Sequence, residues 1–133
     1  MDAIEIDTFR DAIDTALGAF LDHQRAVLEP IGPDLEPLLD SAGAFVAGGK
    51  RLRPAFVRAG WLVAGGDPDD PRIVTAASAL EWLQASALVH DDLMDGSDTR
   101  RGRPSVHRAA ERQHVDAGLE GSATAHGTSV AVL

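Results

Sequence analysis

Three aspartates close one apolar stretch of this sequence and three arginines follow within eight residues: Asp91, Asp92 and Asp95 in DDLMD, then Arg100, Arg101 and Arg103 in DTRRGRPS. On an α-helix, residues four apart lie one turn above each other. Asp91 and Asp95 would therefore project from one face with their oxygens close enough to share a divalent cation, and Asp92, about 100° round the helix, can join from the side. A bare pair of acids on a helix is most often a solvated face. Here the acids end a run, Ala76 to Val89, that is apolar almost all round and therefore reads as buried. Carboxylates that hold a hard cation, followed by forked donors matched to phosphate oxygens, are the layout of a Mg²⁺-diphosphate site. An EF-hand calcium loop is the obvious rival, with Asp91 first and Gly96 sixth. That frame puts Leu93 where the third ligand belongs and Gly102 where the bidentate glutamate belongs, so it fails.

A second cluster lies upstream, in GGKRLRP. Gly48 and Gly49 break the preceding helix, and Pro54 is acceptable in the first turn of a new one. Lys50, Arg51 and Arg53 thus stand at a helix N-terminus, where free N–H groups and the helix dipole already favour an anion. Helix starts usually prefer acids, so three cations there need a reason. Phosphate binding and a solubilising basic turn explain this segment equally well. Gln84 shares a face with Ala87, Asp91 and Asp95, and is open to two readings, a buried core amide or a ligand contact. His90 reads as structural, and His107 and His114 read as surface residues rather than metal ligands.

The elements that would position these groups follow from periodicity and breakers. Apolar residues recur at three- and four-residue steps from Ile6 to Leu28, and Pro30, Gly32 and Pro33 end that helix. Asp34 can cap a second helix as far as about residue 47. Helices are expected at about 5–29, 34–47, 53–64, 72–95, 105–113 and 120–133, an all-α chain in one domain. The fourth would extend roughly 35 Å. The region from His114 to Gly127 is poorly patterned, and the terminal TSVAVL starts an apolar segment that stops, which suggests that the molecule continues or was cut.

Composition narrows the partners. The chain has 133 residues, 44% of them apolar, with 12 basic against 21 acidic residues and a net charge of −9, so nucleic acid and anionic membranes are disfavoured. Half of the basic residues fall within 50–53 and 100–103, a concentration that suits a small anionic ligand. The absence of cysteine rules out disulfides and thiolate metal sites and fits a cytoplasmic setting. An acidic N-terminus without a basic region speaks against a signal peptide. The apolar run 73–89 carries Glu81 and Gln84 and reads as a core helix, with no stable membrane insertion.

Taken together, GGKRLRP at 48–54, DDLMD at 91–95 and DTRRGRPSVH at 98–107 closely resemble the N-terminal part of trans-type isoprenyl diphosphate synthases, the polyprenyl synthetase family. The resemblance extends over essentially the whole chain. It implies an all-α helical bundle of the isoprenoid synthase type, here truncated, and a homodimer or higher self-association. Lys50, Arg53 and Arg101 match the residues that hold isopentenyl diphosphate, and Gln84 stands where many members have a histidine touching it. Asp91 and Asp95 match the magnesium ligands of the first aspartate-rich motif, with Asp92 supporting, and Arg100 matches the contact to the allylic diphosphate. The implied reaction is head-to-tail condensation of the two diphosphates, with Mg²⁺ and Arg100 stabilising the departing diphosphate. Ser86 and Ala87, both small, imply a product of geranylgeranyl length or longer. No counterpart of the family's second aspartate-rich motif is present, since no acid follows Glu120, so the 133 residues alone are expected to be inactive. The rival expectation is a non-catalytic diphosphate-binding or partner subunit.

Overall fold

A computed structural model describes residues 3–133, with side chains from Ile6 onward. Met1 and Asp2, part of the acidic start that weighs against a signal peptide, lie outside the described residues. The elements in order are α1 (Ala3–Leu28), a 3₁₀ turn (Pro33–Leu35), α2 (Glu36–Val46), α3 (Leu52–Val63), α4 (Arg72–Met94), β1 (Thr99–Arg100), β2 (Arg103–Pro104), α5 (Val106–Asp116) and α6 (Ala123–Val132). The fold is all-α, and the only strands among the described residues are the two residues each of β1 and β2. Two compact units are present, one reaching to Ala85 and the other running from Ser86 to Leu133.

In the first unit, the α1 stripe Phe9, Ile13 and Leu17 meets Val46 of α2 and Ile73 and Ala77 of α4. Steps of four put the three α1 residues on one side, and Val57, Trp61, Val74, Trp82 and Ala85 pack around them. Phe20 and Trp82 add a tilted ring pair 5.3 Å apart. Asp34 does not cap α2. Gly32 and Pro33 start the helical trajectory early, so Asp34 lies inside the 3₁₀ turn, and Leu35 occupies the cap position with no side-chain bond. An acid does open α4: Asp70 accepts from both the backbone N–H and the guanidinium of Arg72. That side-chain bond, the largest influence on it, holds the Asp70 carboxyl below its usual range.

The expectation that the 76–89 run is buried all round is corrected. Ala77 and Ser78 are buried, but Ala76, Ala79 and Leu83 are exposed, Leu83 by 66%. A helix of small and apolar residues offers no polar side to turn outward, so its sequence does not reveal which side is covered.

The second unit begins where α4 ends. Gly96, at φ 64°, takes the left-handed position that glycine favours. Ser97 N–H then donates to the Asp92 carbonyl and Gly96 N–H to that of Leu93, the paired bonds of a Schellman cap. The glycine that suggested a calcium loop is therefore the stop signal of the helix. β1 and β2 pair antiparallel around Arg101 and Gly102, both at positive φ, the pattern of a two-residue type I′ turn. This ribbon is fastened to α5: Ser105, 1% exposed, donates its N–H to the Asp98 carbonyl, and Arg108 bonds Asp98 at 2.8 Å.

α5 and α6 cross closely, which corrects the reading of two histidines as surface residues. His107 and His114 are both buried, seven residues apart on the face of α5 turned to α6. With few large apolar residues available there, imidazole fills the gap, and the His114 ring meets that of His126 at a tilt, 5.2 Å between centres, while its Nε2 meets the Glu120 carbonyl. Gly127 permits the crossing. A β-carbon on it would lie 2.5 Å from the His107 carbonyl oxygen. Backbone cannot swing aside as a side chain can, so the clash outweighs alanine's better helix propensity. Gly127→Ala is expected to lower stability by about 1–3 kcal/mol, read as a lower urea midpoint.

Candidate functional site

The C-terminal end of α4 and the ribbon after it bring four of the sequence-predicted residues into one place. Asp92 is buried, its side chain only 4% exposed, and Arg100 of β1 clasps it with two forked bonds, Nε to Oδ2 at 2.7 Å and Nη2 to Oδ1 at 2.8 Å. The same Nη2 reaches Asp91 Oδ2 at 3.5 Å. Asp91 and Asp95 face solvent and keep their helical relation, since Asp95 N–H still donates to the Asp91 carbonyl. The three aspartates thus divide: one carboxylate is taken up by an arginine, and two remain open.

The cause is the register of the cap. Ending the helix at Gly96 lets the ribbon fold back so that Arg100 reaches the side of the last turn, where Asp92 points. The bidentate bond to Asp92, first among the influences, raises the Arg100 guanidinium above its already high ordinary value; burial opposes it and the charges of Asp92 and Asp91 add to it. Arg100 therefore stays cationic across any working pH. Among the described residues no three His, Asp or Glu side chains converge as a cage for an ion. Two open carboxylates suit Mg²⁺, which keeps several waters and takes one or two carboxylates together with phosphate oxygens. Arg101, exposed at φ 51°, sits at the tip of the ribbon with no partner among the described residues.

In the first unit, the turn before α3 sorts its three cations differently from the sequence reading. Lys50 and Arg53 are exposed and without partners among the described residues, while Arg51 is buried and tied to Asp14, Glu81 and the Val46 carbonyl. Sequence reasoning found the basic turn but missed Asp14 and Glu81. Acids scattered on amphipathic helices give no signal of a partner 37 or 30 residues away. Beside the turn, Lys50 lines a shallow groove with Phe9, Arg10 and Arg58, the last lying 4.9 Å over the Phe9 ring. Gln84 is half-buried on α4.

Over residues 36–125, which hold both charged clusters, the chain matches the polyprenyl synthetase family, and it belongs to that family. Within it, the structure is similar to the crystal structure of geranylgeranyl pyrophosphate synthase from Corynebacterium glutamicum complexed with isoprenyl diphosphate and magnesium. The TM-score is 0.85 at 38% identity, over 99% of this chain and 38% of that one. Heptaprenyl diphosphate synthase component 2 of Bacillus subtilis is 45% identical over 72 residues, 53% of this chain and 20% of the relative. The short chain isoprenyl diphosphate synthase of Methanocaldococcus jannaschii is 32% identical over 98 residues, 68% of this chain and 29% of the relative. The chain thus spans well under half the length of the proteins it matches. Among the described residues no helix is long and apolar enough to cross a membrane.

Proposed function

We propose that this chain is the substrate-gripping part of a cytoplasmic trans-isoprenyl diphosphate synthase, an enzyme that joins an allylic diphosphate to isopentenyl diphosphate and gives a product of geranylgeranyl length or longer. The observation that carries the reading is the division of labour at the aspartate box, where Asp92 fixes Arg100 and leaves Asp91 and Asp95 open beside it. Asp91 and Asp95 would hold Mg²⁺, and the ion would supply positive charge to the diphosphate that leaves the allylic carbon. Arg100 offers the same diphosphate a guanidinium that needs no reorientation. Lys50, Arg53 and Arg101 would grip isopentenyl diphosphate, and Gln84, an amide where many members of the family have histidine, would add a neutral hydrogen bond. Ser86 and Ala87 leave room for a long prenyl tail. Self-association as a homodimer or larger assembly is part of the same reading.

Calorimetric titration with inorganic pyrophosphate tests it. Binding is expected to have a Mg²⁺-dependent part at the aspartate box and a Mg²⁺-independent part that weakens at least about 10-fold when Lys50 and Arg53 are both alanine, because two charge-assisted bonds are lost. Equal affinity with and without Mg²⁺ would sink the proposal. The 133 residues alone are expected to show no sustained incorporation of labelled isopentenyl diphosphate, and sustained turnover would remove that part of the reading.

A further inference from the structure

Of the six cations in the two basic clusters, Arg51 is the one closed off from solvent, at 7% exposure. Its side chain contacts three different helices. Nε donates to Asp14 Oδ1 of α1 at 2.7 Å, Nη1 to Glu81 Oε2 of α4 at 2.8 Å, and Nη2 to the Val46 carbonyl of α2 at 2.7 Å. Its backbone adopts φ 49° at the cap position of α3, a left-handed conformation uncommon for a residue that carries a side chain.

The segment it ends has no stiffness of its own. Gly48 and Gly49 stand at φ 70° and 106°, and glycine loses more freedom on ordering than any other residue. Lys50, between those glycines and Arg51, has no partner among the described residues, and neither has Arg53 just beyond. Arg53 already belongs to the first turn of α3, so the ties of Arg51 act on the turn before it, which sets where Lys50 leaves the backbone relative to Arg53. With three of its five N–H groups engaged, two by carboxylates, and the side chain closed off from solvent, this guanidinium is not free for an exposed anion.

We infer that Arg51 is a positioning residue: anchored to α1, α2 and α4, it locks the left-handed turn so that Lys50 and Arg53 present themselves together to one diphosphate. The inference rests on the reading of Lys50 and Arg53 as the diphosphate grip. Its effect is preorganisation, since two long side chains otherwise searching independently would lose more freedom on capture.

The test compares inorganic pyrophosphate binding, without Mg²⁺ so that the aspartate box takes no part, in the unaltered chain, in Asp14→Asn/Glu81→Gln, in Glu81→Gln alone and in Lys50→Ala/Arg53→Ala. Circular dichroism confirms that each is folded at the working temperature. Releasing Arg51 in the Asp14→Asn/Glu81→Gln chain is expected to weaken pyrophosphate binding about 10-fold. Glu81→Gln alone, the milder change should the double variant not fold, is expected to weaken it by a smaller factor. A role in stability alone would lower the melting temperature and leave the affinity of the folded chain unchanged, and that result overturns the inference. Tighter binding overturns it too, because it would make the released Arg51 itself a ligand group. Unchanged affinity in Lys50→Ala/Arg53→Ala defeats the underlying reading of the grip, whatever the Asp14 and Glu81 variants do.

Discussion

Asp92→Ala is expected to destabilise the chain by about 2–3 kcal/mol, an unusually large loss for a residue at the end of a helix. Its side chain is only 4% exposed, and both of its carboxylate oxygens are engaged by Arg100. Without it, Arg100 keeps only the 3.5 Å approach to Asp91, whose side chain is itself 61% exposed. A fully enclosed cation abandoned in this way would cost about 3–5 kcal/mol. Arg100 is 26% exposed and can turn part of its guanidinium to water, which places the expectation below that range. Urea denaturation of the single variant and of Asp92→Ala/Arg100→Met checks the cause. The double variant should recover much of the loss, since removing both partners leaves no stranded charge. A single-variant effect under about 0.5 kcal/mol, the size of a featureless surface change, would mean that the clasp contributes nothing.

The second large effect is on metal binding. Asp91→Asn/Asp95→Asn is expected to abolish Mg²⁺-dependent pyrophosphate binding, with a loss of more than about 100-fold. Residues that merely orient metal ligands typically cost about 10–100-fold when replaced, and these two would be the ligands themselves. Asparagine keeps the size and one oxygen of each side chain, so the fold should persist while the charge that holds the hard cation is gone. Arg100 and the Lys50/Arg53 grip remain in place in this variant, so any residual binding reports the cations acting without the metal. Retention of wild-type affinity would show that the open carboxylates are not where the ion sits.

Much of this was legible before any coordinates, and for identifiable reasons. Helix α1 carries its core residues Phe9, Ile13 and Leu17 at steps of four with charges between, so period alone places it. The aspartate box and the basic turn are contiguous in sequence, and contiguous clusters are what a reader of sequence can see. The ion pairs within and beyond them were not legible. Nothing distinguishes Asp92 from Asp91 until the Gly96 cap sets which one the ribbon folds toward, and nothing distinguishes Arg51 from its neighbours until Asp14 and Glu81 arrive from other helices. The I′ turn was hidden because its central pair, Arg101 and Gly102, is flanked by arginines rather than by the alternating apolar residues that mark a hairpin. Buried histidines were missed because composition ranks imidazole as intermediate, and only the close crossing at Gly127 decides the matter.

The cap at Gly96 also fixes where the three acids sit: at the C-terminal end of α4, Asp91 and Asp92 in its last turn and Asp95 just beyond Met94, where the negative pole of the helix dipole lies. Negative charge there is electrostatically frustrated, by about 0.3–1 kcal/mol for each exposed carboxylate at low salt. A chain built for endurance would place lysine at such positions. This one tolerates the repulsion, and a divalent ion held there as proposed would relieve it, so that part of its affinity would be stored beforehand in the strained end of the helix.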